Sequence, residues 1–313
     1  MKKPQPKEEI TGGKILRTTW KVISTGISIL MVLIFAMFFF SILGSLVPEL
    51  ETGNVAVIPI EGLITTGDET FQTTVDSAGI VKLIEKAEKN DDIKAIVLEL
   101  NSPGGTPVAT DEIATAVKEA NKTTIAVIRE TGASGAYWIA TAADKIYANK
   151  MSVTGSIGVQ ASRLEFTGLL ADYNVTYRKL TAGRLKDAGT MLREMTSEEQ
   201  QLFQTMLNKL HDEFIRTVAE NRNLPENTVR ELATGFVYLG SEAKELGLID
   251  ELGNKKDALK YLEQELNITA EPVEYKEQGT FFDKLAGVAS ENFYNIGQGI
   301  GSALTTDVQV SFT

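Results

Sequence analysis

The sequence predicts an α/β protein in which repeated βαβ units form a largely parallel sheet, followed by a helical region and preceded by one transmembrane helix. The first observation is that strand-like apolar runs alternate with helical patterns, which indicates right-handed crossovers between parallel strands. The second is that glycine turns follow two of these runs, in "NSPGG" and "ETGASG". The third is that positions 22–47 carry no charge over 26 residues. A helix needs about 20 apolar residues to cross a bilayer.

The N-terminal segment predicts a signal anchor. Basic residues dominate positions 1–21, and Glu49 and Glu51 follow the apolar run. This arrangement favours a cytoplasmic N-terminus and an extracytoplasmic main domain, in a single-pass protein of the cell membrane. A cleavable signal peptide is the alternative, but its apolar region should span about 7 to 15 residues and end in an A-x-A-like site. The run at 22–47 is longer, and no such site closes it.

The βαβ region begins near Val55. Strands are predicted in "NVAVIPIEGLI", "IKAIVLEL", "TTIAVIRE", "DKIYAN" and "VTYRKL", with a glycine-containing piece at "SVTGSIGVQ". Helices are predicted over 79–89, 108–120, from Ser134 onward and over 164–172. The short, β-branched runs favour strands, and the apolar spacing between them favours amphipathic helices.

The clearest helix is predicted in "MTSEEQQLFQTMLNKLHDEFIRTVAENRN". Thr196 and Glu199 fit a capping box at its start. Its apolar face comprises Phe203, Met206, Leu207, Leu210, Phe214 and Val218. A second helix-rich stretch closes the main domain, which is predicted to cover 53–266, and the remainder, 267–313, is a C-terminal extension that includes a glycine-punctuated amphipathic stretch.

Composition excludes several kinds of site. The chain has no cysteine, which excludes a thiol nucleophile, a disulfide and thiolate metal ligands. Its single histidine, His211, makes a histidine-ligated metal site unsupported. The net charge of −11 disfavours a nucleic-acid partner, which needs a basic footprint.

Ser134 is the candidate nucleophile. It is predicted at the N-terminus of a helix, directly after a strand, where unpaired N–H groups and the helix dipole favour negative charge. The "NSPGG" turn follows the preceding strand, and the carboxyl ends of parallel strands meet at one edge of the sheet. The backbone N–H groups of Gly105 and Gly135 could then form an oxyanion hole. The alternative is that Ser134 caps the helix and the glycines serve packing.

Two side chains could activate the Ser134 hydroxyl. A Ser–His–Asp triad would use His211, but "GASGA" is not the G-x-S-x-G pattern, and His211 lies in the middle of a helix. Lys186, in "GRLKDAG", is the other candidate, because a lysine that loses its proton near neutral pH can act as a general base. A surface lysine in a polar loop is the simpler interpretation of Lys186. The dyad also requires that Asp187 point away from Lys186.

Six ordered blocks carry a resemblance to a known family: "NSPGG", "GASGAYWIATAADKIYAN", "TGSIGV", "GRLKDAG", "REMTSEEQQ" and "FVYLGSEAKELGLIDELG". Together they are similar to the membrane-bound signal peptide peptidases of the SppA type, over about Val55 to Gly253. The resemblance implies a Clp protease/crotonase-like fold and a Ser–Lys dyad of Ser134 and Lys186. It also implies Gly105 and Gly135 as oxyanion donors, and Ser156 as the hydroxyl that orients the lysine.

The resemblance further implies a serine protease that degrades apolar peptides such as remnant signal peptides, works in a homo-oligomer and needs no cofactor. An extended peptide is expected beside strand edges near 104–106 and 153–159. Three alternatives remain at this point: an acyl-CoA-binding crotonase-like enzyme, a non-catalytic membrane scaffold, and a membrane protease of the related NfeD-associated type.

Overall fold

The structure is a computed structural model of the 313-residue chain, and it describes residues 52–67 and 74–276 together with part of the segment between 20 and 39. The chain divides into two units, Met1–Glu51 and Thr52–Thr313. In the first unit, the described residues between 20 and 39 are helical, and we label them α1. No helix among the described residues combines the length and hydropathy needed to cross a membrane. Many positions of the predicted span, 22–47, lie outside the described residues.

The second unit alternates strands and helices along the chain. Its strands are β1 (Val55–Glu61), β2 (Leu63–Thr65), β3 (Thr74–Asp76), β4 (Ala95–Ser102), β5 (Thr123–Ala133), β6 (Lys145–Ala148), β7 (Val153–Gly155), β8 (Val237–Leu239), β9 (Glu251–Leu252) and β10 (Pro272–Glu274). Its helices are α2 (Ser77–Lys89), α3 (Pro107–Glu119), α4 (Gly135–Thr141), α5 (Thr167–Asp172), α6 (Ser197–Arg222), α7 (Glu226–Leu232), α8 (Gly240–Glu245) and α9 (Lys255–Leu266).

The main sheet is mostly parallel, which confirms the predicted α/β class. Within the described residues, its strand order is β10-β1-β4-β5-β6-β9, with every neighbouring pair parallel. The end of β5 also pairs with β7, and β7 pairs with β8 in antiparallel fashion. β2 and β3 form a separate parallel pair. β10 lies within the predicted extension, 267–313, and joins the sheet at its edge.

Both faces of the sheet are covered, so its central strands are nearly continuous apolar runs. Alternate residues of β1, such as Ala56 and Ile58, pack beneath α2, α3, α4 and α6, whereas Val55 and Val57 face α9. Trp138 of α4 stacks on Phe214 of α6 with ring centroids 4.9 Å apart. This contact fixes α4, the helix after Ser134, against the longest helix of the domain.

A register shift in the pairing of β4 with β5 lies beside the candidate site. Leu100 pairs with Ile128, but Ser102 pairs with Gly132, so β5 carries extra residues between these two pairs. Such irregularities bend a strand and redirect the residues that follow. The end of β5, where Ser134 follows, therefore leaves β6, which pairs only with Ile125–Ile128, and pairs with β7 instead while Gly132 stays beside β4.

One local prediction was wrong, and two were confirmed only in part. The stretch 175–180 forms no strand, because no neighbouring segment among the described residues supplies a ladder of hydrogen bonds. The helix predicted over 164–172 is reduced to α5 (Thr167–Asp172). Only the C-terminal half of the predicted apolar face of α6 is buried, since Phe214 and Val218 are covered while Met206 is exposed. The amphipathic stretch predicted after 276 lies outside the described residues.

Candidate active site

Ser134 lies at the junction of β5 and α4 in a strained backbone conformation. Its φ is 54° and its ψ is −123°, a region that residues with a side chain rarely adopt. Its N–H donates to the Gly155 carbonyl at 2.8 Å, and its carbonyl accepts from the Trp138 N–H at 3.0 Å. Although it occupies the N-cap position of α4, its side chain makes no capping hydrogen bond. The backbone is thus fixed while the hydroxyl is left available.

The two predicted oxyanion donors are adjacent. Ile64 of β2 holds the glycine turn, because its N–H donates to the Gly104 carbonyl at 3.0 Å and its carbonyl accepts from the Thr106 N–H at 2.9 Å. The N–H of the intervening Gly105 therefore faces the other way. A Cβ built on Gly135 would lie 3.1 Å from the Gly105 nitrogen. In the described part of the chain, neither N–H has an acceptor, so two donors beside Ser134 remain for a ligand oxygen.

Only glycine fits at positions 104 and 105 of the turn. A Cβ on Gly105 would lie 1.8 Å from the Ile64 carbonyl oxygen. Gly104 has a φ of 105°, and a Cβ there would lie 2.9 Å from the Ser134 Cβ. The close approach of the two loops, which brings the donors to the nucleophile, therefore depends on the missing side chains.

Thr110 of α3 is a site residue that the sequence reasoning missed. Its side-chain oxygen is buried without a hydrogen-bond partner among the described residues. This oxygen lies 2.3 Å from the position that a Cβ on Gly135 would occupy. The sequence pattern that could have pointed to Thr110 is a polar residue among apolar ones on one helix face. Thr110 shares the buried face of α3 with Ile113, Ala114 and Val117.

Ser156 lies next to Gly155, the residue whose carbonyl accepts the Ser134 N–H. Its φ is 52°, and its hydroxyl donates to the Gly235 carbonyl at 3.0 Å. The Ser156 N–H also donates to the Phe236 carbonyl, at 3.0 Å. Ser156 is half-buried, and its hydroxyl oxygen still has lone pairs that can accept a hydrogen bond from an ammonium group.

Lys186 is exposed and lies on a turn. Its backbone N–H donates to the Gly183 carbonyl at 3.2 Å. Within the described residues its ammonium makes no hydrogen bond or ion pair, so the structure does not join it to Ser134 or Ser156. Asp187 accepts from Lys179 at 2.8 Å and from Arg193 at 3.0 Å. Hydrogen bonds from Arg193 and Lys179 lower the pKa of Asp187 to about 2. Asp187 is therefore engaged away from Lys186, as the dyad requires.

His211 is not placed to form a triad. Its Nε2 lies 3.3 Å from the Ile157 carbonyl, and it makes no hydrogen bond with Ser134. Among the described residues, no group of three or more His, Asp or Glu side chains is arranged to hold a metal ion.

The strand edges predicted for a peptide are partly occupied. β7 has β5 on one side and β8 on the other, so the edge predicted at Val153–Gly155 is not available. Gly158 and Val159 follow it, and their backbone groups make no hydrogen bond to other described residues. Together with the N–H of Gly105, this short stretch remains for pairing with an extended ligand.

Comparisons with known proteins identify a family and several relatives that the chain resembles. The model of a family described as Peptidase family S49 matches residues 116–269, which include Ser134, Ser156 and Lys186. The chain is 38% identical over 245 residues to "Putative protease MJ0651" of Methanocaldococcus jannaschii, covering 76% of this chain and 77% of that protein. It is 37% identical over 203 residues to "Putative signal peptide peptidase SppA" of Enterococcus faecium, covering 64% and 59% of the two chains. "Serine protease SPPA, chloroplastic" of Arabidopsis thaliana is 29% identical over 69% of this chain and 33% of its own.

Proposed function

The chain belongs to peptidase family S49, a family of serine proteases, and from this membership we propose that it is a membrane-anchored endopeptidase whose Ser134–Lys186 dyad hydrolyses apolar peptides such as remnant signal peptides. One observation carries the proposal: the Ser134 hydroxyl makes no capping hydrogen bond and lies beside the N–H groups of Gly105 and Gly135, neither of which has an acceptor among the described residues. A serine that served only to end a strand or cap a helix would need neither feature.

The reaction is acyl transfer. The Ser134 oxygen attacks the peptide carbonyl carbon while its proton passes to the neutral amine of Lys186. The N–H groups of Gly105 and Gly135 stabilise the tetrahedral oxyanion, at typically ~2.7 to 4 kcal/mol per donor. Lys186 then protonates the leaving amine as the C–N bond breaks. Water attacks the resulting ester, gives its proton to Lys186, and releases the new carboxyl end together with the free serine.

The dyad requires the Lys186 amine to come within hydrogen-bond distance of the Ser134 oxygen in the working enzyme. We propose that this occurs in a homo-oligomer. The segment that carries Lys186 exposes large apolar side chains, among them Leu164, Tyr173 and Leu180. Exposed apolar patches of this kind mark interaction sites, so the exposure supports a contact with a second copy.

The membrane location is proposed from the sequence pattern. The uncharged run at 22–47 would anchor the chain, with 1–21 in the cytoplasm and the protease domain on the extracytoplasmic side. Remnant signal peptides lie in the same bilayer and are apolar, which makes them accessible to an anchored enzyme.

The test uses the full chain in detergent micelles with a fluorogenic apolar peptide. Ser134→Ala and Lys186→Ala should each abolish hydrolysis, whereas His211→Ala should retain it. A matched lysine control is Lys150→Ala, which lies outside the site. Retained activity in Lys186→Ala with loss in His211→Ala would instead indicate a triad hydrolase. Absence of hydrolysis in the unaltered chain, across apolar and polar peptides, would favour the scaffold interpretation.

Substrate class and assembly are tested separately. A signal peptide reconstituted in lipid vesicles should be cleaved faster than a polar peptide of equal length. Equal rates would contradict the proposed preference for apolar substrates. Light scattering of the detergent-solubilised chain should give a mass of several copies, and a monomer that is fully active would contradict the proposed oligomer.

A further inference from the structure

One arginine joins the turn that carries Lys186 to helix α6. The Arg193 Nε donates to Asp187 at 3.0 Å, and its two terminal nitrogens donate to the Glu199 carboxylate at 2.9 and 2.5 Å. The side chains of Asp187 and Glu199 are only 7% and 3% exposed. A planar guanidinium can make this two-sided contact, whereas a lysine ammonium lacks the fork geometry.

The Glu199 end of this contact is firmly anchored. Glu199 closes the capping box of α6, because it accepts from the Thr196 N–H at 2.9 Å while its own N–H donates to the Thr196 hydroxyl at 3.2 Å. The C-terminal half of α6 is held in the core through Phe214 and Val218. Arg193 thus ties a loop to a helix that is itself held in place.

The Asp187 end matters because this carboxylate follows Lys186 directly. A carboxylate that pairs with a lysine favours the charged ammonium and raises the lysine pKa. Among the described residues, the Asp187 carboxylate has two partners, Arg193 and the 41%-exposed Lys179. Surface ion pairs such as that with Lys179 contribute little stability, so Lys179 alone would hold Asp187 weakly.

Other charged groups lie near the turn, among them Arg163, which donates to the Thr190 carbonyl and pairs with Glu165 at 2.8 Å. Arg184 pairs with Glu198 on the first turn of α6. The exposed Glu194 carboxylate makes no ion pair with any described residue, and its backbone carbonyl accepts from Arg193 at 2.8 Å. Asp187 is therefore the carboxylate that adjoins Lys186 in sequence and is held by other cations.

We propose that Arg193 is a positioning residue for Lys186: it holds Asp187 against α6, which orients the turn and prevents Asp187 from pairing with the catalytic lysine. This inference rests on the proposed Ser134–Lys186 dyad. The contact joins the blocks "GRLKDAG" and "REMTSEEQQ", since the Asp187 of one accepts from the Arg193 of the other, and the same Arg193 donates to Glu199.

The experiment is the pH dependence of kcat/KM for the full chain in detergent. A lysine base works in its neutral form, so activity rises with pH through its pKa. In Arg193→Gln, Asp187 becomes available to Lys186, and the midpoint of this rise should move up by about one pH unit. Arg193→Lys should show a smaller upward shift. The double variant Arg193→Gln/Asp187→Asn should return the midpoint to that of the unaltered chain, because the competing carboxylate is gone.

Arg184→Gln is the matched control. Arg184 lies on the same turn as Lys186, and the substitution removes its exposed ion pair with Glu198 of α6 without affecting the contacts of Asp187. Its midpoint should not move. An unchanged midpoint in Arg193→Gln, or a shift that the Asp187→Asn change does not reverse, would overturn the inference. If Arg193→Gln is inactive at every pH, recovery in the double variant supports the inference and no recovery overturns it. If Arg193→Gln does not fold, Arg193→Lys is judged by the same criteria.

The inference and the proposed function fail in different ways. If Lys186→Ala retains activity, the dyad itself is wrong. If activity depends on Lys186 but the pH midpoint of kcat/KM does not respond to loss of the Arg193–Asp187 contact, only the positioning role is wrong.

Discussion

Gly135→Ala is the sharpest test of the packing beneath the candidate oxyanion hole. The new Cβ would lie 2.3 Å from the Thr110 side-chain oxygen, 3.1 Å from the Gly105 nitrogen and 3.4 Å from the Thr110 Cβ. Only the contact with the hydroxyl is far inside van der Waals distance. Thr110 is 1% exposed, and rotating its side chain would bring a methyl group toward the same space or press on its neighbours.

The expected cost follows from this overlap. Overpacking a closed site typically destabilises a protein by about 1 to 3 kcal/mol, so Gly135→Ala should lower the free energy of unfolding by about 2 kcal/mol. For a unit of this size, that corresponds to a fall in Tm of about 4 to 8 °C. Thr110→Ala removes the offending oxygen, which has no hydrogen-bond partner among the described residues, so it should cost about 1 kcal/mol through lost packing alone.

The double variant Gly135→Ala/Thr110→Ala should therefore be more stable than the two single effects predict, by about 1 to 2 kcal/mol. Thermal unfolding of the full chain can be followed through Trp138, which lies three residues from Gly135 and stacks on Phe214. Turnover of the apolar peptide should recover in parallel, because the N–H of residue 135 regains its position.

Gly105→Ala is the control for this cycle. Its Cβ would lie 1.8 Å from the Ile64 carbonyl oxygen, a backbone atom that Thr110→Ala does not remove. The loss in that variant should therefore persist in combination with Thr110→Ala. Simple additivity of Gly135→Ala and Thr110→Ala, within about 0.5 kcal/mol, would refute the proposed clash.

Three further outcomes are expected. His211→Ala should leave kcat/KM for the apolar peptide within about twofold of the unaltered chain, and a loss of more than tenfold would reinstate the triad. Gly155→Ala should destabilise the fold by about 2 kcal/mol and reduce kcat, because its φ is 77° and a Cβ would lie 2.8 Å from the Tyr238 ring; an unchanged Tm would contradict this. The pKa of Glu199 is lowered to about 2 from 4.5, chiefly by the hydrogen bond from Arg193. This stabilisation is present above about pH 4.5 and is lost as the pH falls toward 2, so Arg193→Gln should flatten the dependence of Tm on pH in that range.

The sequence determined the class of sheet and the cluster around the candidate nucleophile. The carboxyl ends of neighbouring parallel strands meet at one edge, so a glycine turn after one strand and Ser134 after the next predict proximity of Gly105, Ser134 and Gly135. The structure has these residues in contact. The capping box of Thr196 and Glu199 was likewise readable, because it depends on a spacing of three residues within one helix turn.

Other features needed the tertiary structure. Strand propensity at 175–180 was misleading because a strand forms only where a neighbour supplies hydrogen bonds. Periodicity found the apolar face of α6 but not that its N-terminal half stays partly exposed, since periodicity does not say what covers a face. The sequence left open whether Ser134 caps α4, and the structure shows a φ of 54° at this residue and no capping hydrogen bond from its side chain.

The sequence by itself thus predicted that Ser134 lies close to Gly105 and Gly135, because strand alternation and short motifs are local properties of the chain, whereas Lys186 and Ser156 were predicted from the family resemblance. Only the tertiary structure decided which groups surround these residues. The Thr110 hydroxyl, which has no hydrogen-bond partner among the described residues, and the Arg193 bridge between Asp187 and Glu199 arise from contacts between separate elements. Such contacts depend on how a turn folds back on a helix, and that is set by packing in three dimensions rather than by spacing along the chain.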